Sequence, residues 1–157
     1  TPLITSIFLH GNLAHLISNM WALWLFGDNV EDRMGSINFL LFYLLCGMAA
    51  GLSHIFFNPT SLVPTIGASG AVAGVMGAYF ILYPQARILT LVPIFIFPWF
   101  VDIPAFVYLG IWLVIQVMGG TSALAGGAVQ IAFWAHVGGF LAGMLLHRTF
   151  LLEDTTE

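Results

Sequence analysis

The sequence predicts an all-α fold, a polytopic membrane bundle in which several helices cross the bilayer. Of its 157 residues, 60% are hydrophobic and only 6% are charged, whereas soluble domains carry roughly 25% charged residues. The mean hydropathy is +1.00. The apolar residues form successive runs, and a helix needs about 20 such residues to cross a bilayer. We therefore expect residues 1–157 to form one membrane domain, with no separate soluble domain.

Five apolar runs separated by turn-forming residues predict five membrane-spanning helices. Their approximate limits are residues 13–27, 37–57, 68–83, 103–118 and 130–147. Gly11 and Asn12 predict the start of the first helix, because Asn is a favoured N-cap. The polar residues 27–33 predict a loop after this helix, and the glycine-rich residues 119–127 predict another loop before the last one.

Residues 88–102 are apolar but differ from the five runs. They contain Pro93, Pro98 and Asp102, and proline interrupts a helix because it lacks a backbone N–H. They also contain several aromatic residues, which are enriched where a membrane meets water. We predict an interfacial or kinked segment that leads into the fourth helix.

The positively charged residues predict the orientation in the membrane. The chain has three arginines and no lysine. Arg33, Arg87 and Arg148 follow the first, third and fifth predicted helices, so all three lie on one side, which the positive-inside rule makes cytoplasmic. The segments 58–66 and 119–129 then face outside. We expect a prokaryotic plasma membrane, because the core is compact.

Composition argues against several other functions. The net charge is −4, and there is no basic patch for nucleic acid. Cys46 is the only cysteine, which excludes a disulfide framework and a thiolate metal cluster. The His-Glu-x-x-His motif of zinc proteases is absent as well. Neither nucleic-acid binding nor zinc proteolysis is therefore predicted.

Polar side chains cluster near the predicted outer ends of three helices. His15 and Asn19 are four residues apart and share one helix face. Ser69 begins the third helix, and His136 lies early in the fifth. With a rise of about 1.5 Å per residue, all four lie roughly 3–10 Å inside the helix ends. Because polar groups are costly in hydrocarbon, this shared layer indicates a functional site.

The residue types in this layer match nucleophilic catalysis. A serine hydroxyl needs a base to take its proton, and the His136 imidazole can accept that proton and return it to a leaving amine. The Ser69 amide N–H, Asn19 and His15 are candidate donors to an oxyanion. No carboxylate lies at a matching depth, so we expect a dyad. Gly139, one turn from His136, permits the close helix approach that the short Ser69 side chain requires.

These motifs occur in the same order and spacing in one known family. They are His10, His15 and Asn19; Glu31-Asp32-Arg33; Gly67-Ala68-Ser69-Gly70; and Ala135-His136 with Gly139 and Gly143. Together they resemble the rhomboid intramembrane serine proteases, over nearly the whole chain. The Gly-x-Ser-Gly motif alone also occurs in soluble hydrolases, so the combination carries the resemblance.

The resemblance implies cleavage of a transmembrane substrate helix near its outer end, through an acyl-enzyme on Ser69. His136 would be base and then acid, and His15, Asn19 and the Ser69 amide would bind the oxyanion. It implies no metal and no cofactor, and its partners would be transmembrane-helix proteins and the lipid bilayer. The remaining matched residues would be structural: His10, Glu31, Arg33, Gly67, Gly70, Gly139 and Gly143.

The chain departs from the family pattern in two ways. Rhomboids have at least six core spans, and the five spans here match the second to the sixth, so we expect the first to be missing. Many members also carry an aromatic residue four positions after the serine, packed on the catalytic histidine. Here that residue is Ala73, so the orientation of His136 must depend on other contacts.

Three other interpretations remain open from the sequence. One is a noncatalytic rhomboid-like protein that binds transmembrane helices. Another is a small transporter, although a transporter predicts a polar path through the whole bilayer. Finally, Ser69 could be a small residue at a helix crossing, and His15 and Asn19 could form structural hydrogen bonds only.

Overall fold

The computed structural model describes residues 2–60, 65–94, 97–125 and 131–152. These residues form mainly helices, with one two-stranded sheet. The elements are α1 (Pro2–Thr5), a 3₁₀ helix (Ser6–Phe8), α2 (Leu13–Met34), α3 (Ser36–Phe57), α4 (Ser69–Leu82), β1 (Arg87–Ile94), β2 (Phe97–Pro104), α5 (Ala105–Leu124) and α6 (Phe133–Phe150). The five long helices α2 to α6 follow the order of the five predicted spans, which confirms the predicted helical bundle.

The long helices differ in length and apolar character. Within the described residues, α3 and α5 are long and apolar enough to cross a membrane, and α4 is a shorter apolar helix. Its 14 residues correspond to about 21 Å along the helix axis. The bundle therefore combines two helices that meet the length and composition of a span with three that depend more on their neighbours.

Helix α4 lies at the centre of the bundle. Residues 70–79 are all buried, and α4 contacts each of the other four long helices. A helix that is apolar on every side is stable when neighbours cover all of its faces. The surrounding helices therefore hold Ser69, the first residue of α4, at a defined position at one end of the bundle.

Helices α2, α4 and α6 end on the same side of the bundle. The N–H of Leu152, just after α6, donates to the carbonyl of Arg33 at 2.9 Å. The Tyr83 hydroxyl, just after α4, donates to the carbonyl of Asn29 in α2 at 2.9 Å. The arginines lie on this side: Arg33, Arg87 and Arg148. This placement agrees with the predicted alternation of the spans.

The predicted polar loop after the first span is wrong. Helix α2 continues through Gly27 to Met34, and the chain turns at Gly35, where φ is +73°. A glycine inside a helix costs only about 1 kcal/mol relative to alanine. At Gly27 the missing side chain leaves room for Leu23 and Phe39, which would lie 3.2 and 3.6 Å from an added Cβ. Packing of α2 against α3 thus outweighs the local stop signal.

The predicted loop from residue 119 is also wrong in its first half. Helix α5 continues through Gly119 and Gly120 to Leu124. An added Cβ would lie 2.6 Å from the ring of Phe133 at Gly119 and 2.8 Å from the ring of Trp134 at Gly120. These glycines accommodate the start of α6 rather than a turn. Helix α6 begins at Phe133, not at 130, and residues 126–130 lie outside the described part of the chain.

Within residues 88–102, strands β1 and β2 pair as a β-hairpin, not as the kinked segment that the prolines predict. Strands β1 and β2 pair antiparallel from Arg87 opposite Pro104 to Ile94 opposite Phe97. Pro93 and Pro98 face each other near the tip, where the missing N–H groups remove few ladder bonds. The other residues are rich in β-branched and aromatic types, which favour strands. The interfacial location of this segment stays a prediction.

Candidate active site

Ser69 and His136 are in direct hydrogen-bonding contact. Ser69 is the first residue of α4, and His136 lies in the first turn of α6. Both are therefore at the end of the bundle opposite the arginines. The Ser69 Oγ lies 2.8 Å from the His136 Nε2, and both residues are half-buried. This distance is suitable for a proton to pass from the hydroxyl to the imidazole.

Glycines on both helices make this contact possible. A Cβ added at Gly139 would collide with the carbonyl oxygen of Gly70, and one at Gly143 would collide with that of Gly74. The backbones of α4 and α6 therefore touch along two helical turns. Because Ser69 has a one-carbon side chain, its oxygen reaches an imidazole on α6 only at such a short separation.

The turn before α4 places Gly67 against His15. Gly67 has a φ of +123°, a backbone conformation that residues other than glycine rarely adopt. An added Cβ would also lie 2.8 Å from the His15 Nε2. The Gly67 N–H donates to the carbonyl of Ser6 at 2.9 Å. This turn thus fixes the start of α4 and leaves room for His15 beside Ser69.

His15 and Asn19 extend the polar layer from α2. The Asn12 side chain caps α2 by accepting from the His15 N–H at 2.8 Å, as predicted. The His10 ring meets the His15 ring edge-on, with centroids 5.2 Å apart. Asn19 is 5% exposed, and its amide Nδ2 has no hydrogen-bond partner within the described residues. A buried amide without a partner is available to donate to a bound group.

The four polar residues line one cavity of about 530 Å³. Its walls come from α2, α4, α5 and α6, together with residues just before α2 and α6. The polar lining includes Asn12, His15, Ser18, Asn19, Ser69 and His136. The apolar lining includes Trp21, Ala22, Leu25, Phe26, Val72, Met76, Trp112, Ile131 and Ala132. The cavity thus places the Ser69 hydroxyl beside space that is apolar on most sides.

Glu31 and Arg33 lie at the opposite end of the bundle, away from this cavity. The Ser36 hydroxyl donates to the Glu31 carboxylate, and the carbonyl of Glu31 accepts from the Gly35 N–H at 2.7 Å. The carbonyl of Arg33 accepts from Leu152. These contacts join α2 to α3 and to the end of α6. Glu31 and Arg33 thus lie where helices are connected, not where the cavity is.

The family is decided by comparison with known proteins. A family model described as "Rhomboid domain" matches residues 1–153. The chain belongs to the rhomboid family. Its sequence is 32% identical to Rhomboid protein 1, mitochondrial, of Saccharomyces cerevisiae over 147 residues, which cover 91% of this chain and 40% of that protein.

Other rhomboids match shorter segments. Rhomboid protease GluP of Bacillus subtilis is 45% identical over 76 residues, covering 48% of this chain and 14% of that protein. Presenilin-associated rhomboid-like protein A, mitochondrial, of Danio rerio is 32% identical over 99 residues, covering 61% of this chain and 26% of that protein. The chain therefore spans less than half the length of these relatives.

Two residues of this rhomboid that surround His136 were not predicted from the sequence. The Gln116 Oε1 lies 2.8 Å from the His136 Nδ1. The Trp112 and His136 ring centroids are 5.9 Å apart. A glutamine in an apolar span was a usable signal, since intramembrane polar residues mark functional positions. Its partner could not be inferred, because α5 and α6 meet only in the folded bundle.

Proposed function

We propose that this rhomboid is an intramembrane serine endopeptidase that cleaves transmembrane segments of other membrane proteins through a Ser-His dyad. The observation that carries the proposal is the 2.8 Å contact between the Ser69 Oγ and the His136 Nε2. It lies at the wall of a cavity that is also lined by Asn19, whose buried amide has no partner among the residues that the structure describes. The similarity to Rhomboid protease GluP of Bacillus subtilis supports the same chemistry.

The proposed reaction has two steps. His136 accepts the hydroxyl proton while the Ser69 Oγ attacks the peptide carbonyl, and the resulting tetrahedral oxyanion collapses to an acyl-enzyme. The C–N bond breaks as His136 returns the proton to the leaving amine. A water then attacks the ester, with His136 again acting as base, and releases the new carboxyl terminus and the free Ser69.

The oxyanion would be stabilised from two helices. At the first residue of α4, the Ser69 N–H has no carbonyl partner within its own helix, and the helix dipole favours negative charge there. The Asn19 Nδ2 and the His15 ring line the same cavity from α2. Donors that are already in place cost little reorganisation when charge develops, which makes them effective in catalysis.

The substrate would be a transmembrane helix that is locally unwound. In a helix each peptide carbonyl is hydrogen-bonded and enclosed by its own turns, so the scissile bond must be extended before Ser69 can reach it. The mostly apolar cavity between α2 and α5 suits such a segment. Small residues at the cut and helix-weakening residues nearby would assist this step.

We also propose the location of the reaction. The arginine end would face the cytoplasm by the positive-inside rule, so the Ser69 end would face outside, in a prokaryotic plasma membrane. Residues 1–157 would then form the catalytic membrane domain, with cleavage near the outer surface of the bilayer.

Labelling with a fluorophosphonate probe tests the proposal. An activated Ser69 Oγ attacks the phosphorus of the probe and expels fluoride, which leaves a covalent label. We expect labelling of the purified protein in detergent, and none of the Ser69→Ala or His136→Ala variants. Ser36→Ala is the matched control, because Ser36 is exposed and lies at the opposite end of the bundle.

The alternative, a noncatalytic rhomboid-like protein that binds transmembrane helices, predicts a different result. It predicts a folded wild type that binds a helical peptide but takes up no label. Equal labelling of the wild type and the Ser69→Ala variant would also contradict the proposal.

A further inference from the structure

The α5 residue Gln116 is buried beside His136. It is 7% exposed, and its Oε1 lies 2.8 Å from the His136 Nδ1. Burying an amide in an apolar helix is costly unless the group is hydrogen-bonded. The hydrogen bond to His136 therefore accounts for a glutamine at this position. Gln116 is not among the described residues that line the cavity.

We infer that Gln116 is a positioning residue that selects the tautomer of His136 and fixes the orientation of its ring. This inference rests on the proposed function, since it assigns Gln116 to the same reaction. Gln116 would touch neither the substrate nor the reacting atoms. It would act only through the imidazole.

The hydrogen-bonding capacity of each atom determines the tautomer. A neutral imidazole carries one N–H, and its other nitrogen is an acceptor. The Gln116 carbonyl oxygen can only accept, so the proton belongs on Nδ1. The Nε2 lone pair then faces the Ser69 hydroxyl at 2.8 Å and can take its proton. The other tautomer would require the Gln116 amide to turn its NH2 group toward Nδ1, and it would place an N–H toward Ser69.

The orientation of the ring has a second contact on the same helix. Trp112 is one turn before Gln116, and its ring centroid lies 5.9 Å from that of His136 and 5.9 Å from that of Phe140. His136 and Phe140 are one turn apart on α6. Two neighbouring residues of α5 thus meet two neighbouring residues of α6. This arrangement supplies, from α5, the support that an aromatic residue would give at Ala73.

Gln116 resembles the third group of a catalytic triad in its position, but it is neutral. The aspartate of a Ser-His-Asp triad orients the imidazole and also stabilises its positive charge. An uncharged amide orients the ring without the cost of a buried carboxylate. The site is therefore a Ser-His dyad whose histidine is oriented by the amide of Gln116.

Replacing Gln116 should reduce turnover more than substrate binding. The Gln116→Met variant has a side chain of similar length whose thioether sulfur is only a weak acceptor for the Nδ1 proton. Its kcat should fall by roughly 10- to 100-fold, which is less than or equal to the typical contribution of general acid–base catalysis. Its KM should stay unchanged. Gln116→Glu keeps an acceptor for the Nδ1 proton and should retain more activity than Gln116→Met, at a cost in stability because its carboxylate is buried.

The experiment combines the kinetic measurement with a spectroscopic measurement of the His136 tautomer. ¹⁵N shifts of His136 are measured in ¹⁵N-histidine-labelled protein in detergent, and the signal is assigned by its loss in the His136→Ala variant. We expect a protonated Nδ1 and an unprotonated Nε2 in the wild type, and a mixture in Gln116→Met. The matched control is Asn38→Leu, which removes a side-chain hydrogen bond to Phe150 at the opposite end and should leave the tautomer unchanged.

Several results would overturn the inference. These are a wild-type His136 protonated at Nε2, a Gln116→Met variant with wild-type tautomer and kcat, or an equal loss of kcat in Asn38→Leu. If Gln116→Met does not fold, Gln116→Leu is measured in the same way, and the wild-type tautomer is decisive by itself. A wild type that neither cleaves nor labels would contradict the proposed function, whereas the tautomer measurement does not depend on activity.

Discussion

The smallest side chains of this rhomboid have the largest effect on the geometry of its site. At position 139, a single methyl group would meet the backbone oxygen of Gly70, which cannot move aside as a flexible side chain can. The Ser69 Oγ lies 2.8 Å from the His136 Nε2, so a shift of α6 away from α4 would break this contact. The distance between α4 and α6, and with it the Ser69–His136 contact, therefore depends on single glycines.

The first prediction concerns this spacing. Gly139→Ala should destabilise the protein by about 1–3 kcal/mol, as overpacked cores do, and should abolish fluorophosphonate labelling. Thermal unfolding in detergent and the extent of labelling measure the two effects. Gly110→Ala is the control, because an added Cβ there would meet only Phe80, at 4.0 Å. Unchanged labelling of Gly139→Ala would contradict the prediction.

Asn19 allows a second prediction, in which stability and activity separate. Its buried Nδ2 has no partner within the described residues, and an unsatisfied buried donor destabilises a fold by about 1–3 kcal/mol. Asn19→Leu should therefore leave the melting temperature unchanged or raised. If Asn19 binds the oxyanion, kcat should fall by roughly 10²- to 10³-fold with little change in KM.

A structural role for Asn19 predicts the opposite pattern. The Leu variant would then lose stability and keep its kcat per folded molecule. Circular dichroism melts and the cleavage rate of a transmembrane substrate, measured on the same preparation, distinguish the two roles.

At the scale of elements, the order of the helices could be predicted from the sequence, but several of their ends could not. Apolar runs predict the helices well, because a helix in the membrane needs apolar side chains whether its neighbours are lipid or protein. Gly27, Gly119 and Gly120 look like stops in the sequence, yet each makes room for a neighbouring side chain. The hairpin was missed because Pro93 and Pro98 argue against regular structure, yet they pair with each other near the end of the ladder, where few backbone hydrogen bonds are lost.

The hairpin gives the third prediction. Large apolar side chains are exposed on it, among them Leu89, Leu91, Phe97, Trp99 and Phe100. A two-stranded sheet has unpaired backbone groups at its outer edges, which cannot enter hydrocarbon, while its aromatic rings favour the membrane–water interface. We therefore expect Phe97, Trp99 and Phe100, in the first half of β2, to lie at the headgroup level of the arginine side.

Spin-label accessibility measures this depth. A nitroxide is attached at Trp99→Cys in a Cys46→Ala background, because Cys46 is the only native cysteine. In liposomes, its relative exposure to oxygen and to a water-soluble nickel complex should fall between two references. Leu145→Cys, on the exposed side of α6, reports the lipid, and Asp32→Cys reports water. A value equal to that of Asp32→Cys would contradict the interfacial location.

At the scale of the whole molecule, the bundle has two different ends. One end carries the arginines and the contacts that join α2, α4 and α6. The other carries Ser69, His136, His15 and Asn19 around a single cavity. The sequence already placed these four residues in one layer, because their spacing fixes their depth along each helix. It could not supply Gln116, whose importance depends on the lateral position of α5.

The central claim is that Ser69 cleaves a peptide bond inside the membrane, and mass spectrometry of a cleaved substrate tests it most directly. The purified protein is placed in liposomes together with a single-span substrate that has small residues near its outer end. We predict two products that meet at a bond within the span, from the wild type and not from Ser69→Ala. No products from the folded wild type, or the same products from Ser69→Ala, would contradict the claim.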